Sequence, residues 1–249
     1  MNRLLILCTF LVSAGCASAP GPGSRTTLAQ SHPRIEPAAS RAEDPAPPPT
    51  RMTISGLHGS LSTVEAQGAL APRMDAFAAC FREHAGRIRG LGGEVRLHIH
   101  VAADGSVRAA YPEDSTVGHR DVERCLSEVA FHTRFPRPRG GGEATLSWPI
   151  MMDPPQGVRH PSTWDPSRVA GVVERRADEV LAQCRPEGHA NIQVTAYVRN
   201  GRVISAGAAT DDESGRESLD CVVARVRTWQ MPPARRMAKV TFALAPTRG

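Results

Sequence analysis

Lysine is almost missing from this chain: Lys239 is the only one in 249 residues, so the positive charge is carried almost wholly by arginine. Aromatic residues are also scarce, at 4%. Scattered basic residues with few aromatics between them exclude the pattern of a nucleic-acid-binding surface, and arginine in place of lysine fits the bias of a GC-rich genome. Long apolar runs are absent too. The one candidate, Leu4 to Val12, is about ten residues long, where a membrane-spanning helix needs roughly twenty. The chain has no G-x-S-x-G elbow, H-E-x-x-H pair, phosphate loop or Cys-x-x-Cys, and no paired carboxylates stand apart from ordinary surface. No catalytic function is therefore expected, and no cofactor.

What is present begins with Asn2-Arg3, the apolar run, and Ser13-Ala14-Gly15 before Cys16. That order is read as a secretory signal over residues 1–15. The cysteine after Ala14-Gly15 resembles the lipobox of bacterial lipoproteins, which implies lipidation at Cys16, and Ala17 in the next position implies the outer membrane. Ser13 stands where that family favours Leu, so an ordinary signal peptide cut near Ala17 to Ala19 stays open. Residues 16–50 then hold the lipid-bearing Cys16 and a stretch rich in Pro, Ala, Ser and Gly that ends in Pro47-Pro48-Pro49. It reads as a disordered tether with a reach of roughly 30–40 Å.

The rest of the chain repeats itself. After a shift of 96 residues, Asp104-Gly105-Ser106-Val107 falls on Asn200-Gly201-Arg202-Val203, Cys125 on Cys221, and Phe135-Pro136 on Met231-Pro232. Identity is otherwise low, so the repeat rests on register and residue class. The expected organisation is domain 1 at 51–153, a Pro-rich linker at 154–165 and a divergent domain 2 at 166–249.

Each copy carries the same pattern. In copy one, Met74, Phe77, Phe81 and Ile88 recur at helical spacing, and Ser62 with Glu65 forms a capping box for a short helical turn ahead of them. Val95, Leu97, Ile99 and Val101 alternate with polar residues as in a half-buried strand. A second helix follows from His119 to about Thr133, with Val122, Leu126 and Val129 inward, and a last strand runs from Glu143 to Ile150. Copy two matches with a helix opening at Asp165-Pro166, a strand with Ile192, Val194, Ala196 and Val198 inward, a helix carrying Leu219, Val222, Val223 and Val226, and a strand from Ala238 to Leu244. Asn200-Gly201 suits a two-residue hairpin turn, and Ala102 to Gly105 a longer loop with Gly in the left-handed position. The expected fold class is α+β: two small α-β-β-α-β domains, each with helices on a short antiparallel sheet.

Phe135-Pro136-Arg137-Pro138-Arg139-Gly140-Gly141-Gly142, the strand ending Trp148-Pro149-Ile150, the Asp104-Gly105-Ser106-Val107 turn and the helix bearing Cys125 together resemble the AgmX/PglI C-terminal domain of bacterial envelope and gliding-motility proteins. That family is in turn similar to the TonB C-terminal domain, which Arg225 to Pro233 of copy two resembles more closely. The resemblance implies a periplasmic, non-catalytic module that binds another envelope protein. Copy two departs by lacking the Gly-rich segment.

With Cys8 in the signal and Cys16 at the lipobox set aside, four cysteines remain, two per copy, in a compartment that oxidises thiols. The expected pairs are Cys80–Cys125 and Cys184–Cys221, each joining the end of the first helix to the middle of the second. The remaining metal candidates are His98 and His100, two imidazoles on one strand face, with His119 or His132 as a third ligand. A solvated polar face explains that pair as well, and no metal is expected.

Two functions stay open. In one, a short sheet offers an unpaired edge to an extended segment of a partner protein. In the other, Arg134, Arg137 and Arg139, or Arg225, Arg227, Arg235 and Arg236, grip an anionic envelope polymer such as peptidoglycan or lipopolysaccharide. No nucleic acid is expected as a partner, and the membrane is met only through the lipid. The expected place is the outer membrane, on its periplasmic face.

Overall fold

A computed structural model describes residues 53–55, 59–154, 156–184 and 190–244; the signal sequence, Cys16 and the tether lie outside them. The first copy is built from β1 (Thr53–Ser55), α1 (Thr63–Leu70), α2 (Met74–Ala85), β2 (Gly93–Val101), β3 (Val107–Ser115), α3 (Arg120–Phe131) and β4 (Ala144–Met152). The second holds β5 (Ser162–Thr163), α4 (Ala170–Cys184), β6 (Ile192–Arg199), β7 (Arg202–Thr210), α5 (Leu219–Val226) and β8 (Ala238–Leu244). The fold is mixed α+β with two four-stranded sheets, ordered β1-β4-β2-β3 and β5-β8-β6-β7. Strand for strand the two orders are the same.

Local chemistry explains most boundaries. The Ser62 hydroxyl accepts from the Glu65 amide while the Glu65 carboxylate accepts from the Ser62 amide, so α1 opens on a capping box. Asp165 accepts from the Ser167 amide and starts the single 3₁₀ turn, Pro166–Arg168, that feeds α4. At the hairpin tips, Asn200 (φ 52°) and Gly201 (φ 74°) both occupy the left-handed region, whereas the longer loop of copy one places only Gly105 there (φ 87°). Val95, Leu97, Ile99 and Val101 of β2 are all buried and share one core with Phe77 of α2 and with Val122 and Leu126 of α3. Met74, expected on the apolar face of α2, is instead exposed.

One edge strand of each sheet, β1 and β5, is an addition to the expected order. β1 lies antiparallel to β4. β5 falls within the segment read as a linker, and it pairs parallel to the start of β8. Trp164, just after it, is buried in the core of copy two. The disulfides Cys80–Cys125 and Cys184–Cys221 tie α2 to α3 and α4 to α5.

The copies meet across the second face of the second sheet. Thr195 and Tyr197 point away from the α4 and α5 side of β6, yet both are fully buried, and Tyr197 belongs to the core of copy one. The Thr195 hydroxyl donates to the Ser115 carbonyl (2.8 Å), the Ser205 hydroxyl to the Gly118 carbonyl (2.8 Å) and Lys239 Nζ to the Gly92 carbonyl (2.8 Å). Glu123 of α3 is fully buried at this seam and accepts from the Ser115 hydroxyl (2.6 Å) and the Ala208 amide (2.9 Å). A side chain at Gly207 would put its Cβ 2.0 Å from the Glu123 carboxylate, so only glycine permits this approach.

Candidate functional site

β8 has an outer side that β5 covers only in part. The Ser162 amide donates to the Met237 carbonyl (3.0 Å) and the Trp164 amide to the Lys239 carbonyl (2.8 Å), after which the chain turns away at Asp165. By the two-residue period of a strand, Thr241 and Ala243 turn their backbone groups to the same outer side. Among the described residues no strand pairs with them there. A cavity of about 580 Å³ borders this stretch, with Thr241, Phe242 and Ala243 on the strand side and Pro166, Ser167, Ala170 and Val173 on the helix side. Its lining is mainly apolar. The arrangement is a sheet edge left unpaired at Thr241 and Ala243 with a cavity alongside it.

The arginines named from the sequence do not converge on one place. Arg139 pairs with Glu65 (2.9 Å), and the Ser62 hydrogen bonds together with Arg139 hold the Glu65 carboxyl down at about 2. Arg134 pairs with Asp104 (3.7 Å). Arg137 and Arg225 are exposed, and Arg227 lines a separate cavity beside His119. Arg235 and Arg236 line a cavity of about 800 Å³ together with Arg168, whose guanidinium lies 4.2 Å from the centre of the Trp164 ring. Arg168 is not marked as part of an arginine cluster by its own surroundings in sequence, because Arg235 and Arg236 lie nearly 70 residues further on; its place just after the Asp165-Pro166 helix start is the available signal.

His98 and His100 do share a strand face, but each is engaged by its own partners. His98 Nδ1 lies 3.2 Å from Glu113 and its ring stacks on Tyr111, with centroids 4.9 Å apart. His100 lies between Glu143 (2.8 Å) and Glu213 (3.5 Å). Glu213 comes from copy two, so this contact also joins the copies. Burial and the surrounding carboxylates Glu213, Asp212 and Glu113 push the Tyr111 hydroxyl well above its ordinary value. His119, named as a third ligand, packs against His84 instead.

No helix among the described residues is long and apolar enough to cross a membrane. No protein-family model matches the chain, and no curated protein or solved structure shows significant similarity to it.

Proposed function

We propose that this protein is a non-catalytic, lipid-anchored module of a bacterial envelope that binds another envelope protein by adding an extended segment of it to the outer edge of β8. One observation carries the reading: Thr241 and Ala243 turn backbone groups outward beside an apolar cavity, where β5 has already left the sheet. A partner strand there gains backbone hydrogen bonds from the edge and side-chain specificity from Phe242, Val173 and Ala170. The lipobox at Cys16 and the likeness of 51–153 to the AgmX/PglI and TonB C-terminal domains support a periplasmic setting at the outer membrane.

A photo-crosslinking residue in place of exposed Ser167, on the groove wall, tests this in intact cells. A discrete adduct is expected, and Ala243→Pro should abolish it by removing one outward amide without touching the ladder to β6. An adduct of equal yield in the Ala243→Pro protein overturns the edge.

A second reading draws on the convergence of Arg168, Arg235 and Arg236 on one cavity. Three guanidinium groups there can hold carboxylates or phosphates of an envelope polymer in two-point fashion. Arg235→Ala with Arg236→Ala would then lose binding to peptidoglycan or lipopolysaccharide.

A further inference from the structure

His84, near the end of α2, and His119, at the N-cap of α3, bring their rings to a centroid distance of 4.7 Å. Asp121, in the first turn of α3, joins them: one ligand atom from each of the three lies within 4.8 Å of the others. His119 is only 8% exposed, and the Nδ1 atoms of both histidines are buried with no hydrogen-bond partner. Two neighbouring imidazoles with buried, unpartnered nitrogens cost free energy unless something binds them. We propose that His84, His119 and Asp121 form a binding site for a divalent cation of the zinc class, with one coordination position open.

The donor set suits such an ion. Two neutral imidazoles and one carboxylate are a recognised three-ligand combination that leaves a fourth position for water or an anion. Tetrahedral ligands at zinc distances sit roughly 3.4 Å apart, so the three side chains close by about an ångström through rotation about their χ angles.

The disulfide stabilises this geometry. Cys80 and His84 are one helical turn apart on α2, and Asp121 and Cys125 one turn apart on α3. The Cys80–Cys125 bond therefore fixes the two helices against each other one turn from the ligands. Beside the site lies a cavity of about 520 Å³ lined by His119 and Asp121 together with Arg87, Arg120 and Arg227. Arg120 keeps one buried guanidinium nitrogen without a partner. Those arginines oppose a bare dication and favour one that carries an anion in its open position. Copy two has Gly215 and Glu217 where copy one has His119 and Asp121, so the site belongs to copy one alone.

The test is titration of the full chain, with free thiols alkylated and disulfides intact, with Zn²⁺ and with Co²⁺ as a spectroscopic probe. One equivalent should bind, with a nitrogen–oxygen ligand spectrum, and raise the melting temperature. His84→Ala should weaken binding at least tenfold, since even partners behind the ligands are worth about that much. His119→Gln should do the same, while His98→Ala and His100→Ala leave binding unchanged. His84 is only partly buried, so if the His119 variant does not fold, His84→Ala decides alone. Absence of binding to the wild-type chain, or equal binding by the His84→Ala protein, overturns the site.

Discussion

Glu123 accepts hydrogen bonds from the Ser115 hydroxyl and the Ala208 amide, and it has no access to solvent. Burial pushes its carboxyl above the usual 4.5, against the opposing pull of Ser115, Arg120 and the Ala208 amide. A raised value in the folded state means that the folded chain holds a proton which the unfolded chain releases. The stability from this group is fully present below pH 4.5 and is lost as pH rises through the raised value. Glu123→Gln should therefore show a flatter dependence of melting temperature on pH than the wild type, with the variant gaining on the wild type as pH rises from 4 to 8. Parallel curves for the two proteins would show that Glu123 does not titrate differently on folding. Nothing in the sequence near Glu123 announces this role, because a glutamate beside an apolar stripe reads as surface until the partner strand is known. Gly207 and Ala208, which receive it, lie 84 and 85 residues further on.

At the scale of elements, each copy depends on one covalent tie between two helices. The disulfides close loops with sequence separations of 45 and 37 residues, and in the chain-entropy model each restricts the unfolded chain by about 3–4 kcal/mol. Replacing Cys184 and Cys221 together by Ser should lower stability by roughly that amount in denaturant titrations, and the matching pair in copy one should do the same. A loss under about 1 kcal/mol would mean that packing alone holds the helices. The long elements were legible in the sequence because their apolar period is strong: Val95 to Val101 in β2, Val122 and Leu126 in α3, and Leu219 to Val226 in α5. β1 and β5 were not, since strands of three and two residues carry no period to read. β5 matters most, because its short length leaves the outer side of β8 open.

Across the whole molecule, the repeat turns into an asymmetric pair. Copy one places α3 and β3 on the face of the second sheet that carries Thr195, Tyr197, Ser205 and Gly207. Apart from Tyr197 these residues are small, and the Pro-rich stretch at 154–165 reads as a joint between two domains, so nothing local in the sequence marks a buried seam. The sole lysine of the chain lies at this seam, half-buried, with its Nζ on the Gly92 carbonyl and 5.8 Å from the Tyr197 ring centre. Protease should cut first in the exposed stretch around 156–161. With the seam intact, the two fragments should stay together on gel filtration and melt in one transition; fragments that separate without denaturant would show that the copies are independent units.

The measurement that bears most directly on the proposed role is the salt dependence of the complex captured through Ser167. Once the captured protein is identified, its affinity is measured from low salt to 1 M for the wild type, Ala243→Pro, and Arg235→Ala with Arg236→Ala. Pairing at the β8 edge predicts an affinity that changes little with ionic strength, is lost in Ala243→Pro and survives removal of the arginines. A steep fall with salt, with loss in the arginine variant and retention in Ala243→Pro, would contradict the edge and assign the function to the arginine-lined cavity.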